Sequence, residues 1–449
     1  MSETIQIKEP SSRHKTHQHL LDVASDYRRT EAGAIPEDWD VLELDSVTKV
    51  IDGDRGRHYP SVTDFSESGY CLFLNAGNVT NEGFNFEDCA FITQAKDQQL
   101  RKGKLKRKDI VLTTRGTIGN FAFYDDTVSL DHLRINSGMV ILRNENPEVD
   151  KDFLYFQLRS YSVEKQIERL AFGSAQPQLT VKGISKLLIA VPPRQQEQHA
   201  IAEALLDVDD LLTALDALIE KKRAIKQGAM QQLLTGKTRL GGFTANWEKK
   251  TLADLASFFK GSGLSKAQVI PDGRQRCIHY GELFTTYSER IAEVLNGTDA
   301  DREFFRSVGN DVLMPSSDVT PNGLATASCI VESGVILGGD ILVIRAPSDV
   351  LNGEFLAYAI AVHRNQVMKL VSGTTVFHLY GRDMAGFRFL APSVEEQTAI
   401  VRVLSDMEVE ISALEARLVK TRAIKQGMMQ QLLTGRIRLV KPQPAEGEA

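Results

Sequence analysis

Residues 223–240 read RAIKQGAMQQLLTGKTRL, and residues 422–439 read RAIKQGMMQQLLTGRIRL. The two blocks lie 199 residues apart and differ at three of eighteen positions, so the chain carries one segment twice. The likeness continues upstream without a gap: Pro193, Glu197, Gln198, Ile201 and Leu205 recur as Pro392, Glu396, Gln397, Ile400 and Leu404. A period near 200 residues is far too long for a solenoid repeat. It implies two copies of one module, each a globular domain followed by a helix.

The repeated segments read as long helices over 194–235 and 393–434. Pro193 and Pro392 stand just before the start, and Gly236 and Gly435 just past the end. Ile201, Leu205, Val208, Leu212, Leu215 and Ile219 step by alternating four and three, and Ile400, Leu404, Met407, Ile411, Leu414 and Leu418 do the same. That spacing is the a/d seam of a coiled coil. The alternative is that each stripe packs only on its own domain. Gly228 and Gly427 sit inside the helices, where glycine costs about 1 kcal/mol relative to alanine. Their recurrence predicts a bend, or close approach by another helix. After the first helix comes TGKTRLGGFTANW (235–247), and YRRTEAGAIPEDW (27–39) resembles the same continuation displaced to the start of the chain. The repeat therefore reads as circular, with pseudo-two-fold symmetry. Such symmetry sets the helices antiparallel, with one globular domain at each end of a strut of about 60 Å.

Residues 35–192 and 241–391 are the segments between. They open alike, Trp39 matching Trp247, Leu44 matching Leu252 and Gly53 matching Gly261. Their middles differ but are rich in short strand-like runs, CLFLN, KDIVLTTRG and GMVILR, then NDVLMP and GDILVIR. Each has an expected helix, around 152–168 and 353–370. The fold class is α+β: two globular domains separated by an antiparallel coiled coil of two long helices. The expected boundaries are an N-terminal arm at 1–34 with one short helix around His19–Arg29, a first domain at 35–192 and a central helical region at 193–240. A second domain at 241–391, a distal helical region at 392–440 and a flexible tail at 441–449 follow. His14, His17 and His19 have loose ligand spacing but no cysteine or carboxylate cluster beside them, so the arm reads as a tail and not a metal site.

With 42% hydrophobic and 25% charged residues over 449 positions, the composition is that of an ordinary globular protein. There is no apolar run of about 20 residues and no signal-peptide core, so a cytoplasmic location is expected. The four cysteines form no CxxC pair and read as reduced thiols. A net charge of -6 counts against a free-standing nucleic-acid binder and suggests that partner subunits share the gripping of phosphates. No P-loop, GxSxG elbow or HExxH helix occurs. The Asn/Asp-Pro-Pro-Tyr/Phe motif of adenine methyltransferases is missing too, PPRQQ (192–196) being a poor match.

Several stretches together resemble a known family. They are IPEDW at 35–39, KRKDIVLTTRGTIGN at 106–120, INSGMVILR at 135–143 and GSAQPQLTVKGISKLLIAVPPRQQEQHAI at 173–201. In the second half SGTTVFHLYGRDMAGFRFLAPSVEEQTAI (372–400) matches the joining stretch, whereas GNDVLMPSSDVTPNGLATA (309–327) departs from the TTRGTIG pattern. In this order, doubled, they resemble the specificity (S) subunit of type I restriction–modification enzymes. The resemblance implies a non-catalytic DNA-reading subunit with two target-recognition domains, each reading one half of a split, asymmetric target. It implies that the helices set the gap and dock two copies of an N6-adenine methyltransferase subunit, and that motor–nuclease subunits can join. No cofactor is expected on this chain; S-adenosylmethionine, ATP and Mg belong to the partners. The competing classes are a coiled-coil scaffold with peptide- or RNA-binding end domains, and a nuclease.

The candidate DNA contacts follow from residue type. RKGKLKRK (101–108) supplies Lys104, Lys106, Arg107 and Lys108 for phosphates, or else is a solvated loop. Arg115, where a loop leaves a strand, fits a bidentate contact to guanine or phosphate, or an ion pair with a core carboxylate. Gln176 and Gln178 suit adenine edges; the matched stretch of the second half offers Thr374, Thr375, His378 and Tyr380, and for both the plain reading is a capped turn. Lesser candidates are Arg55 and Arg57 in the first domain and Lys260, Lys266, Arg274, Arg276, Ser316, Ser317 and Asn322 in the second.

Overall fold

The computed structural model describes residues 27–171 and 178–440. The chain divides into two compact units, Met1–Ala214 with Leu418–Ala449, and Leu215–Arg417. The long helices are Gln195–Leu233 and Val394–Leu432, 39 residues each, so each contributes to both units. Gly236 (φ +69°) and Gly435 (φ +67°) take the left-handed conformation that ends them.

In the first unit Ile201 and Leu205 share an apolar cluster with Leu432 and Leu433, and Lys425 pairs with Asp209. In the second, Ile400 and Leu404 cluster with Met230, Leu233 and Leu234, and Lys226 Nζ lies 2.6 Å from Glu408. Each unit thus contains an antiparallel helix pair. The ion pairs are the same contact twice, because Lys226 and Lys425, and Asp209 and Glu408, occupy equivalent repeat positions. Each lysine also covers a ring of the domain in its unit, Lys226 that of Tyr358 at 5.4 Å and Lys425 that of Phe156 at 5.8 Å. All twelve seam residues are buried or half-buried. At the outer turns the seam meets both the other helix and the domain, so the two readings of the stripe hold together.

The helix ends carry a second doubled contact. Arg239 grips Glu396 through two bonds of 2.7 and 2.6 Å and lies over the Trp247 ring. Arg438 grips Glu197 and lies over Trp39, with two further bonds of 2.9 Å to Asp38. The Tyr27 hydroxyl donates to the Gly435 carbonyl at 2.8 Å. The distal helix therefore leads onto the N-terminal segment, which is the circular organisation.

One expectation is corrected. Of the helix placed around His19–Arg29, residues 19–26 lie outside the described residues, and Tyr27–Thr30 is a strand paired antiparallel with Gly33–Pro36. Residues 27–34 are therefore part of the first unit and not an arm. Arg28 Nη2 bonds the Trp39 carbonyl at 2.5 Å, and Ser162 Oγ bonds the Ala32 carbonyl at 2.5 Å, which outweighs the local helical pattern. The histidines of the arm and the 441–449 tail also lie outside the described residues, among which no group of metal-ligating side chains occurs. Among those residues no helix is long and apolar enough to cross a membrane.

The first domain is built on an antiparallel sheet in the order Phe121–Tyr124, Asp109–Thr113, Met139–Asn144, Thr48–Asp52. The second has Ser257–Lys260, Ile341–Arg345, Val312–Pro315, Ser328–Ile330, with Arg290–Ile291 added in parallel. Each domain adds a three-stranded sheet with one parallel pair, Leu133–Ile135 on Cys71–Leu74 and Ile336–Leu337 on Gln275–Ile278. In each, the first strand of the domain pairs with its last, Asp40–Glu43 with Leu188–Val191 and Glu248–Thr251 with Arg388–Ala391, which delivers the chain to the long helix. The expected single helices are each broken in two, at Arg159–Ser160 and at His363. Ser160 caps the new helix: its Oγ accepts from Val163 N at 3.4 Å, while its carbonyl takes the first intrahelical bond from Glu164 N at 3.0 Å. The cysteines are free. Burial raises all four thiols, Cys71 and Cys329 to about 12 and Cys277 to about 11, so none is a ready nucleophile.

Candidate nucleic-acid interface

In the first domain the strand Asp109–Thr113 runs into the tight loop 114–120. Thr113 Oγ1 donates to the Thr117 carbonyl and Gly119 N to the Thr113 carbonyl, with Gly116 (φ +74°) making the reversal. Two other segments close on the loop. Thr114 N donates to Gly138 O at 2.8 Å, and Leu179 N donates to Thr114 O at 3.1 Å. A fourth arrives with Arg55, whose Nη2 lies 3.2 Å from both Ser137 O and Asp52 Oδ1. Arg55, Arg115 and Gln178 thus gather from three distant stretches, all exposed. Gln176 lies outside the described residues.

The second domain repeats the junction with other side chains. Ser316 N donates to Asp340 O at 2.8 Å and Leu379 N to Ser316 O at 3.0 Å. Lys260 Nζ stands 3.5 Å from Asp340, and Ser317 is the cross-strand partner of His378. Ser372 and His378 exchange backbone bonds of 3.0 and 2.7 Å, closing a hairpin. Its tip exposes Thr374 and Thr375, and Gly373 (φ +115°) makes the turn. The Tyr380 ring stacks on His378. Asn322 lies in the exposed loop beyond Ser317, its carbonyl held by Arg364 at 2.6 Å. Lys260, Ser316, Ser317, His378 and Tyr380 therefore share one edge.

Other candidates lie elsewhere. RKGKLKRK precedes the strand Asp109–Thr113 and Arg115 follows it, five residues of strand or about 16 Å apart. Lys104 pairs with Asp97 at 2.5 Å, beside Arg134, which bonds the same carboxylate at 2.6 Å. Burial pushes the Asp97 carboxyl up, but these two cations outweigh it and hold it below the usual range. Arg107 is spread over Asp131 and the carbonyls of Asp125 and Val128, and Lys108 pairs with Asp152 at 3.0 Å. Lys106 remains exposed. Arg57 Nε bonds the neighbouring His58, and Lys266 sits exposed on the turn Lys266–Gln268. Arg274 pairs with Asp299 at 3.3 Å, and Arg276 belongs to the smaller sheet. Arg382 and Lys182, both exposed and 200 residues apart, were not among the candidates read from the sequence.

Residues 36–227 and 244–421 each match the family model described as the type I restriction modification DNA specificity domain. The chain belongs to this family. Among relatives of this specificity subunit is the MjaX type I restriction enzyme specificity subunit of Methanocaldococcus jannaschii, 22% identical over 92% of this chain and 97% of the relative. The MjaVIII specificity subunit of the same organism is 30% identical over 222 residues, 48% of this chain and 49% of that one. The fold is also that of a crystal structure of a type I restriction-modification S subunit from M. genitalium, with TM-score 0.56 at 18% identity over 88% of this chain and 96% of that one. A chain from a study of assembly and conformational transition in the type I system gives TM-score 0.54 at 15% identity, over 90% and 99%.

Proposed function

We propose that this specificity subunit reads an asymmetric DNA target in two halves, one per recognition domain, with base contacts made by the loops gathered at Thr114 and Ser316. The carrying observation is the doubled bond Leu179 N to Thr114 O and Leu379 N to Ser316 O. One backbone junction presents Arg115 and Gln178 in one domain and Ser317 and His378 in the other, so like scaffolds can read unlike bases. Arg55 and Lys260 stand beside these loops as phosphate contacts.

The helices then set the spacing between half-sites, as dimer geometry does in other DNA readers, and dock two copies of an N6-adenine methyltransferase subunit. Support for docking comes from Gly228 and Gly427, where an added Cβ would meet nothing within 4 Å. Neither helix is interrupted there. Among the described residues nothing crowds these glycines, which supports a partner helix pressing on the bare backbone. Motor–nuclease subunits would add restriction. On this reading the chain acts in the cytoplasm, has no catalytic centre and binds no cofactor; S-adenosylmethionine, ATP and Mg work on the partner subunits.

The test mixes the chain with its methyltransferase subunit and maps methylated adenines on random DNA. A split motif is expected, and exchanging residues 35–192 for another recognition domain should alter one half of it. Methylation indifferent to this chain would refute the reading.

A further inference from the structure

Beside the hairpin of the second domain three flat groups form a ladder. The His378 and Tyr380 rings stack at 5.9 Å with 19° between planes, and Arg382 Cζ lies 4.9 Å from the Tyr380 centroid. The ladder faces outward: Tyr380 is 43% exposed and the Arg382 side chain 80%. It starts at His378, the partner of Ser317, so it continues the edge that carries the candidate base contacts.

An exposed cation–aromatic contact contributes about 0.5–1 kcal/mol, too little to explain the arrangement by stability. Its geometric effect is larger. The contact places the guanidinium over the Tyr380 ring, and a guanidinium stacked on a ring can still present its donor fork sideways. The nearest carboxylate, Asp383, stands at 3.7 Å and already accepts from Tyr380 N, so it does not take the bidentate place. A planar donor fork at the rim of a DNA-reading edge matches the O6 and N7 acceptors of guanine. The first domain has a cation at the same place. Leu179 and Leu379 make the same bond, and Ile184 N to Thr180 O repeats Met384 N to Tyr380 O, each at 3.0 Å. That register puts Lys182, exposed, where Arg382 stands.

We propose that Arg382, lying over the Tyr380 ring, reads a guanine in the half-site of the second domain, and that Lys182 occupies the equivalent position in the first. The inference rests on the DNA-reading function above. The experiment uses the full chain with its methyltransferase subunit and maps methylated adenines for the wild type and for Arg382→Ala, Arg382→Lys, Tyr380→Ala and Tyr380→Phe. Arg382→Ala should relax one guanine position of one half-site by about tenfold or more. Tyr380→Ala should relax the same position less, and Tyr380→Phe should leave it intact. The other half-site, unchanged, reports that the complex is folded. Uniformly weaker methylation of an unaltered motif, with a shallower salt dependence, would mean a phosphate contact and overturn the inference. An unaltered motif at unaltered rate would overturn it too, with the DNA-reading function left standing. That function itself falls only if the wild-type chain fails to direct methylation.

Discussion

The two recognition domains agree where they are buried and differ where they are exposed. Arg143 bonds Asp109 at 2.8 and 2.6 Å, and Arg345 bonds Asp311 at 2.7 and 2.7 Å. In each case a residue with positive φ, Lys108 or Asn310, comes immediately before the aspartate. Gln166 clasps the backbone of Leu188 as Gln366 clasps that of Arg388. Yet the loop that follows is TRGTIGN in one and SSDVTPNG in the other. The scaffold is thus held by interior polar contacts that tolerate little change. The loops hang from it by backbone bonds, which any side chain permits.

The largest effect expected within this comparison comes from the buried ion pairs. Arg143→Met and Arg345→Met each leave without its cation a carboxylate whose side chain is 2% and 0% exposed, with a backbone N–H, from Lys106 or Val308, still bonded to it. Breaking such a pair from one side costs about 3–5 kcal/mol. Denaturant melts should show similar losses for both variants. A loss in only one would mean the two frameworks are not equivalent.

Next come Gly53 and Gly261, where an added Cβ would stand 2.1 Å from Asn136 O and 2.0 Å from Gly338 O. Alanine at either site should cost about 1–3 kcal/mol through overpacking. The strands on either side must separate, so the adjoining recognition loop should loosen with them. Hydrogen exchange of residues 114–120 in Gly53→Ala, and of 316–323 in Gly261→Ala, checks this. Protection unchanged in both would detach the glycines from the loops.

How far the sequence could be read follows the same division. The long helices were legible to within two residues, because proline, glycine and the a/d stripe are local signals; Gln195–Leu233 and Val394–Leu432 fall inside the ranges read. The strands Cys71–Leu74, Asp109–Thr113, Met139–Asn144, Val312–Pro315 and Ile341–Arg345 overlap the apolar runs read from the sequence, whereas Thr48–Asp52, Phe121–Tyr124, Ser257–Lys260 and Ser328–Ile330 were not picked out. The partners of the basic run were not legible. Asp131 and Asp152 lie 24 and 44 residues beyond Arg107 and Lys108, and only the fold brings them there. Nor was the gathering of Arg55, Arg115 and Gln178, which depends on backbone bonds to Gly138 and Thr114 that leave no mark in residue type. The breaks at Ser160 and His363 were hidden by apolar patterns that run on through them.

The helical glycines offer a smaller effect of opposite sign. Gly228→Ala and Gly427→Ala meet no atom within 4 Å and should each stabilise the isolated chain by about 1 kcal/mol through helix propensity. If a partner helix uses the bare backbone, the same variants should weaken association with the methyltransferase subunit, each at one copy. Sedimentation of the mixed subunits separates the two effects. Stabilisation with undiminished assembly would remove the docking role.

The smallest effect distinguishes the two arginine locks. Arg438 bonds Asp38 as well as Glu197, whereas the residue before Trp247 is Asn246 and Arg239 holds Glu396 alone. The hydrogen bond from Arg438 holds the Asp38 carboxyl below its ordinary value despite some opposing burial. A carboxyl with a lowered native pKa binds fewer protons folded than unfolded. Its stabilisation is therefore present above its ordinary value near 3.8 and is lost as pH falls through the lowered one. Because Asp38 is partly exposed, the contribution is at most about 1 kcal/mol and is screened by salt. Asp38→Asn should lower the melting point slightly at neutral pH and converge with the wild type in acid, whereas Asn246→Asp should introduce the same acid sensitivity in the second unit. A deficit in Asp38→Asn that stays constant through the acid range would mean that Asp38 contributes by packing and not by charge.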